Sequence, residues 1–316
     1  MAEFDLLVLG DANPDVIVSG GDVQPAFGQV ERLVGDIRLA VGGSGAIAAC
    51  GAARLGLRVA FAGVVGADRF GSYLRDELTA HGVDVRGLVT EPLRPTGATV
   101  VLSRTDDRAI LTAPGTVADL RADLIASELV AGARHVHVAS YVRQRALAPG
   151  LPGLLGAVRS RGGSTSLDPN WDPSGAWNGS LRTLLPHVDV LFVNRAEALA
   201  LTGAADVRHA AADLRGAGPR CVVVKLGPDG VFALAAGGEA TTATAFTVDA
   251  VDATGAGDSF DAGFLHAYLA GRPLGACVEL GNACGALSTR ALGGTAGQPT
   301  IDAALALIRE TRQRTW

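Results

Sequence analysis

Along the chain, short runs of consecutive apolar residues end in glycine or a polar residue and alternate with longer stretches in which Ala, Leu and Arg recur at helical spacing. That rhythm is the pattern of parallel βαβ units. The clearest strand candidates are Phe4 to Leu9, Val59 to Val64, His135 to Ala139, Thr165 to Leu167, Val188 to Val193 and Cys221 to Lys225. Polar or glycine punctuation follows each one: Gly10-Asp11, Gly66-Ala67-Asp68, Ser140-Tyr141, Asp168-Pro169-Asn170, Asn194 and Gly227. In open α/β sheets ligands bind beyond the carboxyl ends of the strands, so this punctuation marks one rim of one sheet. Two stretches, about 15–41 and 97–113, hold strand-like segments without a long helix, and Arg104-Thr105-Asp106-Asp107 reads as a hairpin turn between two of them. Each is too small to be a stable sheet alone in water, so they are expected to pair into one small sheet over the rim, a lid whose position depends on ligand.

Composition narrows the function. With 48% hydrophobic and 19% charged residues in 316, the chain is too apolar for disorder, and its net charge of −5 argues against nucleic acid or an anionic membrane as partner. Lys225 is the only lysine among the 27 basic residues. It stands between Val224 and Leu226, which excludes a Walker A loop, and the absence of His-Arg-Asp excludes a protein kinase. Cys50, Cys221, Cys277 and Cys284 form no CxxC pair, so neither zinc nor a disulfide framework is expected. The N-terminus lacks the basic and apolar regions of a signal peptide, and no apolar run reaches about 18 residues. A soluble cytoplasmic protein is expected.

The sharpest chemical signal is Asp252-Ala253-Thr254-Gly255-Ala256-Gly257-Asp258, which opens a helical pattern carrying Phe260, Phe264, Leu265 and Tyr268. Small residues leave the backbone accessible where a helix begins, so unpaired N–H groups and the helix dipole can hold an anion, and Asp258 is placed to take a proton from a bound hydroxyl. A plain helix cap would not need three small residues before it. Val41-Gly42-Gly43-Ser44-Gly45-Ala46-Ile47-Ala48 is a second glycine-rich turn entering a helix. Its Gly43-x-Gly45-x-x-Ala48 also fits a dinucleotide fingerprint, with Asp68 at the right distance, which keeps a nicotinamide-dependent oxidoreductase as a remote alternative. A serine hydrolase built on Ser259 and His266 is more remote still. Asn194-Arg195-Ala196-Glu197 has the spacing of a capping box, and Gly227-Pro228-Asp229-Gly230 that of a tight turn.

Taken in order, these segments resemble the ribokinase-like (PfkB) carbohydrate kinase family, whose second signature usually reads Asp-Thr-x-Gly-Ala-Gly-Asp. The matches run from residue 10 to about residue 300. The resemblance implies a single three-layer α/β/α domain over 1–316 with a mostly parallel central sheet and a β-sheet lid. It implies transfer of the γ-phosphoryl group of ATP to a hydroxyl of a sugar-like small molecule, with Mg²⁺ and, as a family trait, a monovalent cation such as K⁺ near Asp252 and Thr254. Asp258 would then be the catalytic base, and the amides of Gly255, Ala256 and Gly257 the anion hole. Asn13, Asp15, Gly42, Gly43 and Ile47 would bind the acceptor. Asn170, Asn194, Glu197, Lys225, Gly227, Gly230 and Asn282 would bind ATP, Glu197 also reaching Mg²⁺ through water. A homodimer through the lid is compatible with the family. Ala253 stands where the family often has Thr, and Ile47 where it has Asn. Ile offers neither donor nor acceptor to a sugar hydroxyl, so ribose and common hexoses are expected to be weak acceptors. A nucleoside kinase, or a sugar-phosphate kinase using Arg143 and Arg145, remains an alternative.

Overall fold

The computed structural model describes residues 2–104, 107–172, 175, 177 and 180–314. The described residues form thirteen strands: β1 (Phe4–Leu9), β2 (Asn13–Ser19), β3 (Asp36–Gly42), β4 (Val59–Gly66), β5 (Val83–Glu91), β6 (Ala98–Ser103), β7 (Arg108–Ala113), β8 (Ala133–Val138), β9 (Ser164–Leu167), β10 (Val190–Asn194), β11 (Cys221–Lys225), β12 (Val231–Ala235) and β13 (Ala240–Ala243). The large sheet runs β13-β12-β11-β10-β9-β8-β1-β4-β5 and is parallel except at β12 and β13.

Its strands are covered on both sides, as unbroken apolar runs require. Along β1, Leu6 and Val8 join the core on one face, while Leu7 and Leu9 join the core on the other. The first face carries the helices Ser44–Arg54, Ala256–Leu269 and Leu274–Ser288. The second carries Leu151–Ser160, Arg195–Thr202 and Val207–Gly216. The result is the three-layer α/β/α architecture.

All six foreseen strands of the large sheet are found, β10 starting two residues later than expected because Leu185–His187 forms a 3₁₀ turn before it. The strands β5, β12 and β13 were not foreseen. Asp84, Arg86 and Gly87 interrupt the apolar pattern of β5, and β13 is a half-exposed edge of Ala and Thr.

The stretches 15–41 and 97–113 supply the strands of a second sheet, ordered β3-β2-β6-β7. Its register sorts the side chains by face. Leu39, Val16, Val100 and Leu111 line up in one row, and Ala40, Asp15, Thr99 and Thr112 in the next. Alternation puts these rows on opposite faces, one apolar and one polar. The expected hairpin between β6 and β7 is closed by the Arg104 N–H donating to the Asp107 carbonyl at 2.8 Å; Thr105 and Asp106 lie outside the described residues.

This topology overturns the dinucleotide reading. The strand entering Gly43 is β3, which pairs antiparallel with β2 in the small sheet, so it is not the first strand of a parallel βαβ unit. Among the described residues, no helix is long and apolar enough to cross a membrane.

Candidate active site

Two clefts meet at the start of the helix Ala256–Leu269. The smaller, of about 260 Å³, lies under the polar face of the small sheet and is bordered by Asn13, Asp15, Gly43, Ile47, Gly255 and Asp258. The larger, of about 490 Å³, is bordered by Lys225, Gly227, Gly230, Ala256, Gly257 and Asn282. Ala253 borders both. The loop between them is the segment that the sequence marks for anion binding.

Gly255 sits at the helix N-cap with φ of 72°, a left-handed backbone that glycine adopts without penalty. A Cβ there would lie 2.8 Å from Ile47 Cγ2 and 2.9 Å from Gly294, so any side chain would lift the loop. The N–H groups of Gly255, Gly257 and Asp258 donate to no described residue, whereas that of Ala256 donates to the Ala253 carbonyl at 3.3 Å. The free donors therefore keep Gly255 and Gly257 of the expected set and exchange Ala256 for Asp258, which contributes an amide as well as its carboxyl.

Asp258 is half-buried, and its carboxyl is pushed up to about 7, by burial first, with the nearby charges of Asp168 and Asp11 adding. Lys225 and the Ser44 hydroxyl oppose that rise. Such a group is poised to change protonation near neutral pH, as a general base requires.

Lys225 lies directly beneath the loop. Its Nζ donates to Asp168 Oδ2 at 2.6 Å and to both Asp261 oxygens at 3.1 and 3.2 Å, and it approaches the Gly257 carbonyl at 3.5 Å. Burial disfavours the ammonium, yet the two carboxyls hold its pKa well above the lysine range. The same ammonium overcomes the burial of Asp168 and keeps that carboxyl ionised, while burial and the Asp168 charge raise Asp261 far above its ordinary range. Within the trio the Lys225 ammonium thus favours the ionised form of Asp168, while burial and that charge favour the protonated form of Asp261. Lys225 borders the larger cleft as expected, but its ammonium is already committed to carboxylates.

Asn194 and Glu197 form the capping box expected from their spacing. Asn194 Oδ1 accepts from the Glu197 N–H at 2.9 Å, and Glu197 Oε2 accepts from the Asn194 N–H at 2.8 Å. Burial, then the Asp168 charge, pushes the Glu197 carboxyl up to about 7. Asn282 Nδ2 donates to the Thr244 carbonyl at 2.5 Å in the wall of the larger cleft.

On the other side, Asn13 Nδ2 donates to Asp15 Oδ1 at 2.9 Å and to Thr99 Oγ1 at 3.2 Å, tying the cleft to the small sheet. The Asp15 carboxyl is pushed up to about 6, chiefly by burial. Gly42 does not border the cleft, but a Cβ on it would strike the Asp15 carboxyl at 2.3 Å.

Asn194 and Glu197, grouped with ATP, border neither cleft, and other placements also qualify the expectation. Asn170, grouped with ATP, borders the smaller cleft, where its Nδ2 donates to Ser44 Oγ at 3.0 Å and Ser140 Oγ at 3.1 Å. Ile47 is only 3% exposed and wedges against Gly255 and Gly294, so it serves the loop's packing more than the cleft surface. The side-chain oxygens of Asp252 and Thr254 are occupied: Asp252 Oδ1 accepts from Thr254 N and Oγ1, Oδ2 accepts from the Gly293 N–H, and Arg108 Nη1 donates to Thr254 Oγ1 at 2.6 Å.

Reading the sequence alone passes over Asp11, Ser44, Thr99, Arg108 and Asp261 as site residues, whereas Asp168-Pro169-Asn170 resembles a phosphate-side motif of the family. Asp261 was detectable, since it follows Asp258 by one helical turn on an otherwise apolar face.

The fold and the paired clefts define a phosphotransferase architecture, and comparison with known proteins agrees. The family model of "pfkB family carbohydrate kinase" matches residues 4–301. A ribokinase from Haemophilus influenzae is 30% identical over 305 residues, covering 93% of this chain and 95% of that protein. An ATP-dependent ribose-1-phosphate kinase from Halopiger xanaduensis is 31% identical over 312 residues, covering 96% and 98%. The structure of Arabidopsis thaliana ribokinase complexed with ribose and ATP superposes with a TM-score of 0.84 at 25% identity, covering 98% of this chain and 99% of that one. The chain belongs to the pfkB family: it is a carbohydrate kinase of the ribokinase type.

Proposed function

We propose that the protein transfers the γ-phosphoryl group of ATP to a hydroxyl of an acceptor seated in the smaller cleft, with Asp258 as the base. The observation that carries this reading is the position of Asp258: it borders the acceptor cleft, while the adjoining Ala256 and Gly257 border the larger one, and its carboxyl titrates near neutrality. The nucleotide would lie in the larger cleft, its base toward Asn282 and Gly227 and its phosphates toward the free amides of Gly255, Gly257 and Asp258. Those amides point at an anion without reorganisation, which is how a preorganised site lowers the barrier. Asp258 accepts the acceptor's proton as the hydroxyl attacks. Asn13 and Asp15 orient the hydroxyls, and the small sheet, acting as a lid, keeps out water that would compete as acceptor.

Glu197 and Asn194 would hold Mg²⁺ through its water shell. The fit rests on Glu197 itself, a carboxyl only 3% exposed and crowded by the Asp168 charge, which a nearby cation would relieve. Among the described residues no cluster of three metal-binding side chains exists, so the ion would keep waters and phosphate oxygens as ligands. When bound, it neutralises charge on the transferred group. We assign no step to a monovalent cation, because the side-chain oxygens of Asp252 and Thr254 are engaged by Arg108 and by the loop's own amides.

The smaller cleft is bordered by no aromatic ring among the described residues, which leaves a nucleobase no stacking partner and favours a sugar-type acceptor over a nucleoside. The exposed apolar face of the small sheet, including Ile37 at 62% and Leu111 at 63% exposure, supports a homodimer through the lid.

Asp258→Asn tests the base. ATP consumption with a phosphorylatable sugar should fall by about 10² to 10⁴, with nucleotide affinity little changed, because Asn leaves the loop amides in place. Turnover within threefold of the native rate would remove Asp258 from that role.

A further inference from the structure

The cleft contains a cation that neither the base nor the hydroxyl-binding groups require. Arg143 borders the smaller cleft, is half-buried, and makes no side-chain hydrogen bond or ion pair with any described residue. Arg108, bordering the same cleft, is by contrast tied to Thr254 and Asp252. Arg145 is exposed and does not border the cleft.

The segment that carries Arg143 is held firmly. Tyr141–Arg143 is a 3₁₀ turn, with the Tyr141 N–H donating to the Asp168 carbonyl at 3.2 Å and the Val142 N–H to the Pro169 carbonyl at 3.1 Å. Ser140 before it and Asn170 opposite it both adopt left-handed backbone, with φ of 53° and 58°, and their side chains are hydrogen-bonded at 3.1 Å. Left-handed non-glycine residues persist only where the surroundings overdetermine them, and they cluster at ligand sites. The polar groups of the cleft also divide in two. Asn13, Asp15, Thr99 and Thr112 form a hydrogen-bonded chain under the small sheet, whereas Ser44, Asn170 and Ser140 form another chain on the floor, beside Asp258. The turn that carries Arg143 begins directly after Ser140 of the second chain.

We propose that the acceptor carries an anionic group, a phosphate or a carboxylate, which the free guanidinium of Arg143 receives. This deepens the kinase reading and rests on it. A guanidinium presents paired donors that match either anion, and this one has no ion pair with a described residue to break before it receives one. Arg143 borders the acceptor cleft and not the nucleotide cleft, so its partner is the acceptor and not the ATP tail.

The test compares matched acceptors, ribose against ribose 1-phosphate and ribose 5-phosphate, and glucose against gluconate, in native protein and in Arg143→Met. The readouts are kcat/KM from ATP consumption and acceptor binding measured calorimetrically with a non-hydrolysable ATP analogue. At least one charged acceptor should exceed its neutral partner in kcat/KM, and Arg143→Met should lower that ratio by about ten- to a hundredfold, the worth of a hydrogen bond to a charged group. Preference for phosphates or for gluconate identifies the anion. Neutral acceptors used as well as charged ones, or a ratio unchanged in Arg143→Met, overturns the proposal and leaves the kinase reading standing. No ATP consumption with any acceptor and no anion binding would overturn both.

Discussion

Replacing Lys225 by Met keeps the length and most of the volume of the side chain while removing the cation that pairs with Asp168 and Asp261. In the native protein the ammonium is 15% exposed and lies 2.6 Å from an Asp168 side chain that is 10% exposed, so neither charge has much water to fall back on. Removing one partner from such a pair leaves a buried charge uncompensated, which costs about 3–5 kcal/mol. Asp168 can escape by taking up a proton, since without the ammonium only its hydrogen bonds with Asp261 and the Asn170 N–H oppose its burial, and each pH unit is worth about 1.4 kcal/mol for one such group. The loss should therefore be full at pH 8 and distinctly smaller at pH 5. The double variant Lys225→Met, Asp168→Asn should recover part of it, because the stranded charge is gone. Urea unfolding at both pH values measures all three proteins. The native ammonium also holds down the Asp258 carboxyl, so in Lys225→Met the acid limb of the rate profile should move to higher pH. A loss under about 1 kcal/mol at pH 8, or an equal loss at pH 5 and pH 8, would refute the assignment of Lys225 as the counter-ion of Asp168.

Asp15, Glu197 and Asp258 all titrate above the carboxyl range in the folded state, at about 6, 7 and 7. Each of these carboxyls holds its proton more tightly folded than unfolded, so each contributes stability that is full near pH 4 and lost as pH climbs through 6 to 7, whereas the buried His135 and His137, lowered to about 3 and 4, act in the opposite sense below about 6.5. The carboxyl effect is therefore isolated by comparison with Glu197→Gln, relative to which the native melting temperature should fall between pH 5 and pH 8, and no relative fall would contradict the burial of Glu197. Ile47→Asn should destabilise the protein by about 2–4 kcal/mol in chemical denaturation, because it trades a wedged apolar side chain for an amide with no partner; unchanged stability would show that its packing against Gly255 and Gly294 does not hold the loop. Arg108→Ala should speed hydrogen exchange in 98–113 and raise the KM for acceptor severalfold, since Arg108 ties the small sheet to Thr254; exchange identical to the native protein would deny it that tie.

The fold was legible wherever local pattern and tertiary setting demand the same thing. β1, β4 and β11 lie between two helical layers, so both faces select apolar residues and the run shows plainly in the sequence. β5 and β13 sit at the sheet's edges, where one side meets solvent and the pattern dissolves into charged, glycine or threonine positions. The small sheet was visible for a different reason. Its strands are short and half-exposed, but the missing helices around them break an otherwise regular alternation, and that break is easier to see than the strands.

The site divides along the same physical line. Backbone-driven features were readable, because glycine at a helix entry and Asn-x-x-Glu after a strand are local requirements of chain geometry. Features created by burial were not. Lys225 reads as a phosphate ligand in sequence because a lone lysine after a strand has no visible partner, yet its partners come from positions 57 residues before and 36 residues after it. Ile47 shows the converse. It replaces a residue type that would bind a hydroxyl, which suggests an altered substrate edge, but the space it fills is set by Gly255 and Gly294, more than 200 residues away. What distinguishes this cleft is therefore less the absent amide at position 47 than the unpaired guanidinium at position 143. No local rule separates that arginine from its solvated neighbour Arg145; only the turn clamped onto Asp168 and Pro169 brings one of them to the cleft.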